Sequence, residues 1–120
     1  MYTKFGEFVR VLRIKNHQIM GDMAKMLNTT TPFLSAVENG KKNVPKGWAE
    51  IISDFYKLSD DERAELNEAI EESKLQTKID MRKSSDMQRK VALEFARSFD
   101  DIDDETATKI MELLRRKEED

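Results

Sequence analysis

Residues 20–40 read MGDMAKMLNTTTPFLSAVENG, and the fold turns on this stretch. Met23, Ala24 and Leu27 fall on one helical face, which predicts a short helix of about Met20 to Leu27. Asn28 follows, a residue that adopts left-handed backbone more readily than any but glycine, so a tight turn is expected there. Thr30 can cap the next helix, and Pro32 lies in its first turn, where a missing N–H costs little. That second helix runs to Glu38, and Asn39-Gly40 ends it.

Working outward, Phe5, Phe8, Val9 and Leu12 repeat at helical spacing and predict a helix of about Thr3 to Lys15, with Asn16-His17-Gln18 leading out of it. On the other side, Lys41 to Val44 reads as a basic loop, and Pro45 is expected to open a fourth helix whose Trp48, Ile51, Ile52 and Phe55 share a face. Ser59-Asp60-Asp61-Glu62 has capping-box spacing after the apolar Leu58. It starts a fifth helix, about Asp60 to Leu75, with Leu66, Ala69 and Ile70 inward and many acids outward. The expected core is Phe5, Phe8, Leu12, Leu27, Leu34, Val37, Trp48, Ile51, Ile52 and Phe55, with Phe33 at its edge.

Residues 76–86 are polar and mixed in charge and read as a hinge, partly helical. Two further helices are expected, about Met87 to Ser98 and about Asp104 to Lys117, joined by Phe99-Asp100-Asp101-Ile102 and with Asp103 as a cap. Lys117 to Asp120 are expected to fray. The expected organisation is therefore all-α: a five-helix domain over 1–75, a hinge over 76–86 and a two-helix hairpin over 87–120.

Composition agrees with a helical chain. Of 120 residues, 38% are hydrophobic and 38% charged, and only four Gly and two Pro supply turns. The absence of Cys excludes disulfides, Cys-ligated zinc and thiol catalysis. No basic-then-apolar leader and no long apolar run occur, so the expected location is the cytoplasm, with no membrane contact. The net charge of −3 conceals a split. Residues 1–46 carry eight Lys/Arg against three acids, residues 47–72 carry two against nine, and residues 73–120 carry eleven against twelve. The basic end coincides with the 20–40 stretch, as a phosphate-facing surface requires.

The stretch resembles the helix-turn-helix of the phage repressor and Cro family, also called the XRE family. The residues that carry the likeness are Met23-Ala24, Leu27-Asn28, Thr29, Thr30, Phe33, Leu34-Ser35, Val37 and Glu38-Asn39-Gly40. The resemblance implies a λ-repressor-like domain in a bacterial or phage regulator that lays its third helix in the major groove of double-stranded DNA. It implies base-facing positions at Thr31, Pro32, Ser35 and Ala36. It implies phosphate contacts at Thr30, Asn39, Lys41, Lys42, Asn43 and Lys46, and Gln18 can stand in for the phosphate-binding Gln that the family carries where this chain has Met20. It also implies an ion pair between Arg13 and Glu38. Three positions depart from the family pattern. Met20 replaces a phosphate-binding Gln, Asn28 replaces the turn Gly, and the recognition helix holds no Arg, Lys, Gln or Asn before Asn39. Specificity is then expected from hydroxyls, methyl contacts and DNA shape rather than bidentate base contacts.

Val91, Phe95, Phe99, Ile110, Met111 and Leu114 supply apolar surface too large for two short helices to bury alone. Homodimerisation is the first expectation, since a dimer reads two half-sites about 34 Å apart. A protein partner is the other. The competing functions are an antitoxin on the same fold and a protein-binding regulator, such as an antirepressor or nuclease inhibitor. Catalysis, metal binding and cofactors are not expected. His17 stands alone in a polar connection, and Asp100, Asp101, Asp103, Asp104 and Glu105 lack the glycine-containing loop of a calcium hand.

Overall fold

Four of the first five helices end in the same way, and this repetition explains how so short a chain reverses so often. The structure is a computed structural model that describes residues 1–119, with the backbone alone at 117–119. Helix α1 spans Lys4–Lys15, α2 Met20–Met26, α3 Thr31–Glu38, α4 Trp48–Phe55 and α5 Asp60–Glu72. Beyond α1, α2, α3 and α4 one residue takes a left-handed φ: His17 at 55°, Asn28 at 54°, Gly40 at 79° and Lys57 at 54°. In each, that residue's N–H and the next return to carbonyls of the last turn. At α3, Gly40 N donates to Val37 O at 3.1 Å and Lys41 N to Ala36 O at 2.9 Å. At α4, Lys57 N donates to Asp54 O at 3.3 Å and Leu58 N to Ser53 O at 2.9 Å. This double return satisfies carbonyls that a helix end otherwise orphans. Only α3 uses glycine for it; the other three hold a side chain where left-handed backbone is strained.

The starts are set by side chains. Thr3, Thr30 and Ser59 each accept from a first-turn N–H, and Ser59 with Glu62 completes a capping box. The Glu62 carboxyl lies below its usual range because the Ser59 N–H and hydroxyl bond to its charged form. At α2 the cap is one-sided: Asp22 Oδ2 accepts from Ile19 N at 2.9 Å.

The chain divides into two compact units, one of residues Met1–Thr77 and one beginning at Lys78. In the first, Phe5, Met23, Leu34, Ile52, Leu66, Val9 and Val37 are fully buried, with Leu12, Leu27, Trp48 and Leu58 nearly so. Phe33 is half-buried and meets Trp48 edge-on at 6.0 Å between ring centroids. Helix α1 packs against both α3 and α5. It runs antiparallel to α5: Phe5 N donates to Ser73 Oγ at 3.1 Å at one end, and Lys15 lies near Glu62 at the other.

Four expectations are corrected here. Pro45 does not open α4. Gly47 precedes the helix at φ 93°, a left-handed angle that breaks any helix begun earlier, and Trp48 is the first helical residue. Ile51 and Phe55, expected in the core, are 43% and 52% exposed. At about 100° per residue, the buried face of α4 centres between Ile52 and Ser53, and Ile51 and Phe55 fall off its edge. Residues 73–85 contain no helix, so of the hinge expected over 76–86 only Asp86, its last residue, is helical. Phe8 is only half-buried.

In the second unit α6 spans Asp86–Ser98, a 3-10 turn spans Phe99–Asp101, and α7 spans Asp104–Glu119. Ser85 and Gln88 form a capping box on α6, and the Asp103 carboxylate accepts from Thr106 N at 2.8 Å to start α7. Helix α6 packs on the 3-10 turn after it, where Phe95 and Phe99 meet at 5.6 Å. No described side chain of this unit is buried. The fraying expected at Lys117 to Asp120 falls on residues whose side chains, and for Asp120 the backbone also, lie outside those described. Among the described residues there is no strand, and no helix is long and apolar enough to cross a membrane.

Candidate nucleic-acid interface

Helix α3 is held from behind and open in front. Its grip begins at Glu38, which is fully buried. Arg13, on α1, is 5% exposed and closes on that carboxylate with two parallel hydrogen bonds: Nη1 to Oε2 and Nη2 to Oε1, each 2.9 Å. Nη1 also lies 3.3 Å from the sulfur of the buried Met23 on α2. A guanidinium fork matches a carboxylate in this bidentate form, and one side chain thereby joins three helices. No buried side-chain nitrogen or oxygen among the described residues lacks a partner.

The Glu38 backbone is held as tightly as its side chain. Its carbonyl accepts from Thr3 N at 2.9 Å and from Thr3 Oγ1 at 3.1 Å. Gly6 on α1 faces the same carbonyl so closely that a Cβ there would stand 2.3 Å from the oxygen. Thr3, Gly6 and Ser73 are positioning residues that sequence reasoning missed. Thr3 carries the signature of a cap for α1, but nothing in the pattern reveals its second bond to α3.

In front, Thr31 and Pro32 are exposed on the first turn, and Ser35 and Ala36 on the next are half-buried. The Thr30 hydroxyl accepts from Phe33 N at 3.2 Å, Leu34 N returns to Thr30 O, and Pro32 has no N–H. Helix α3 carries one charged side chain, Glu38, and Arg13 neutralises it. Positive charge therefore comes from the loop beyond. Lys41, Lys42 and Lys46 are exposed, and none forms an ion pair among the described residues. The bond from Lys41 N to Ala36 O fixes where the two adjacent lysines leave the helix.

Three polar side chains named in the sequence analysis are already engaged within the protein. Asn39 Nδ2 donates to Ser35 O at 2.9 Å, and its Oδ1 accepts from the Met1 nitrogen at 3.4 Å. Asn43 Oδ1 accepts from Leu75 N at 3.1 Å, tying the loop to the chain beyond α5. Gln18 Oε1 accepts from the Tyr56 hydroxyl at 2.5 Å. Burial pushes that hydroxyl above its usual range, although Arg13 pulls it down, so it stays protonated and donates. The Gln18 and Asn43 amide nitrogens make no bond among the described residues and remain donors for an anion.

Val91, Phe95, Phe99, Met111 and Leu114 are all exposed in the second unit, and Ile110 is half-buried.

No protein-family model matches the chain, and neither a curated protein nor a solved structure matches it with significance.

Proposed function

We propose that the first unit is a λ-repressor-like helix-turn-helix domain of the XRE type, and that the chain is a DNA-binding transcriptional repressor working as a homodimer. Helix α3 lies in the major groove in this reading. Thr31 and Pro32 face the bases first and Ser35 and Ala36 behind them, while Lys41, Lys42 and Lys46 grip the phosphates with Gln18 and Asn43 amides beside them. Thr30 contributes through its backbone N–H, since its hydroxyl caps α3, whereas Asn39 donates both its N–H and its side-chain amide to Ser35 O and braces the helix end.

The observation that carries the reading is the asymmetry of α3. A buried bidentate ion pair and a doubly accepting carbonyl immobilise its C-terminal end, its first turn is bare, and unpaired lysines follow it directly. A recognition helix needs this rigidity, because a groove contact displaced by about an ångström loses its hydrogen-bond geometry. The second unit supplies the dimer contact, its exposed Val91, Phe95 and Phe99 being covered by a second copy.

Fluorescence anisotropy tests this with DNA from upstream of the gene, a random duplex of equal length and a salt series. Upstream DNA is expected to bind more tightly than random DNA. Both affinities are expected to fall steeply with salt as phosphate counterions are released. Lys41→Ala with Lys42→Ala should weaken both duplexes, and Thr31→Ala should erode the preference. A folded sample that binds neither duplex at low salt would end this reading.

A further inference from the structure

Between α1 and α5 runs an open groove of about 550 Å³ whose floor is apolar and whose far wall is acidic. Phe8, Val11 and Leu12 from α1 and Ala69 from α5 make the floor, and Val11 leaves 48% of its surface to solvent. Glu65, Glu68 and Glu72 stand along the α5 side, all exposed. None of the three is ion-paired among the described residues.

This arrangement works against the stability of α5. Asp60, Asp61 and Glu62 at its start favour the positive end of the helix dipole, but Glu71 and Glu72 lie at the end where carboxylates are disfavoured; Lys74 beyond the helix pairs with Glu71 at 2.8 Å, and Glu72 has no ion-pair partner among the described residues. Glu65, Glu68 and Glu72 also repeat at i, i+3 and i+7, so like charges stack on one face. Solubility requires charge but not one sign gathered beside an exposed apolar strip. Each partner of a groove that receives a helix supplies half of the pattern: an apolar strip flanked by charge, to meet an apolar stripe flanked by the opposite charge.

We propose that the α1–α5 groove docks an amphipathic helix of a partner protein, one whose apolar stripe is flanked by lysine and arginine. The stripe fills the floor over Phe8, Val11 and Ala69, and the flanking cations pair with Glu65, Glu68 and Glu72. The antiparallel register of α1 and α5 places Lys4 and Lys15 at opposite ends of the groove, so the acidic stretch lies between them. This site uses none of the residues assigned to DNA and does not depend on that reading.

The test uses the full chain without DNA and an 18-residue model peptide with a leucine stripe flanked by lysines, beside a counterpart with glutamates in place of lysines. The lysine peptide is expected to bind and the glutamate peptide to fail. Amide shifts in nitrogen-15 spectra should cluster on Phe8, Val11, Leu12 and Ala69. The triple variant Glu65→Gln, Glu68→Gln, Glu72→Gln should weaken the lysine peptide at least tenfold at low salt. Val11→Asn should weaken it several-fold at any salt, and that response separates groove docking from diffuse charge attraction. Equal binding by both variants, or shifts scattered over outward acids such as Asp61 and Glu71, would overturn the proposal. So would self-association of the free chain that the triple variant abolishes, since the occupant would then be a second copy. The folded triple variant should keep its affinity for upstream DNA within twofold, so a failure here and a failure of the regulator reading are distinguishable.

Discussion

The two units obey the same local rules and reach opposite results. Each has helices started by a capping box, Ser59 with Glu62 in one and Ser85 with Gln88 in the other, and each has apolar residues at helical spacing. The first unit encloses a core of more than ten side chains around a buried ion pair. The second encloses none among its described residues. Caps and periodicity therefore form helices, but covering an apolar face requires something for it to cover. The first unit finds that within 77 residues because α1 packs on α3 and α5 at once. Most of the second unit's large apolar residues remain exposed.

The largest test of that contrast attacks the ion pair. Arg13→Ala leaves the Glu38 carboxylate buried and unpaired, which costs about 3–5 kcal/mol. Thermal melts followed by circular dichroism should show the first unit losing tens of degrees, at about 4–8 °C per kcal/mol for a domain of this size. Replacing both partners, Arg13→Met with Glu38→Leu, should recover much of the loss while leaving α3 less firmly oriented, so stability and DNA affinity should part. An unchanged midpoint in Arg13→Ala would show that the pair is not a brace.

Next in size is Gly6→Ala. Its methyl group meets the Glu38 carbonyl at 2.3 Å, and the obstacle is backbone, so α1 must shift away from α3. Overpacking of this kind costs about 1–3 kcal/mol. A midpoint within a degree of the parent would mean that α1 and α3 part without cost.

The same cap removed in the two units gives a paired measurement. Ser59→Ala should cost about 1 kcal/mol and shift the cooperative midpoint of the first unit. Ser85→Ala should lower helical ellipticity and leave that midpoint unmoved. The pH dependence of the first cap has a definite sign. Glu62 is held below its unfolded value, so its contribution is complete above that value and fades as pH falls through the lower, folded one. Acidification from neutral through the carboxylate range should weaken α5, and Glu62→Gln should remove that part of the dependence. Coincident shifts in the midpoint for Ser59→Ala and Ser85→Ala would dissolve the distinction between the units.

The smallest expected effect is a gain. Lys57 holds φ 54° at the end of α4, and Lys57→Gly relieves left-handed strain at some cost in chain entropy. The balance should stabilise the first unit by about 0.5–1 kcal/mol, read as a rise of a few degrees. A fall would mean that the Lys57 side chain contributes more than its backbone angle costs.

Helix positions were legible in the sequence because spacing and caps are local. The predicted starts at Met20 and Asp60 coincide with those of α2 and α5, and Asn28 takes its left-handed turn. What spacing cannot report is which part of an apolar face is covered. Ile51 and Phe55 repeat in phase with Trp48 and Ile52, yet α4 is rotated so that Ser53 is buried in their place. Gly47 decides where α4 starts, and a glycine one residue ahead of an apolar pattern does not announce a φ of 93°. Within the candidate site, residue types were readable but their partners were not. Asn39 and Asn43 look like phosphate ligands in a basic loop; the bond from Asn39 to Ser35 is local, but those to Met1 and Leu75 appear only when distant segments are brought together.

The bonds from Thr3 to Glu38 and from Phe5 to Ser73 have a consequence for biosynthesis. A ribosome releases residues 3–5 long before residue 73, so the earliest segment of the first unit waits for nearly the last to emerge. Helix α1 can coil early, but its two anchoring partners arrive some 35 and 68 residues later. The contact between α1 and Ser73 can therefore close only after Ser73 has cleared the exit tunnel, later than the contact with α3. Until then α1 offers the nascent chain's surroundings the apolar strip of Phe5, Val9 and Leu12 that the finished fold conceals.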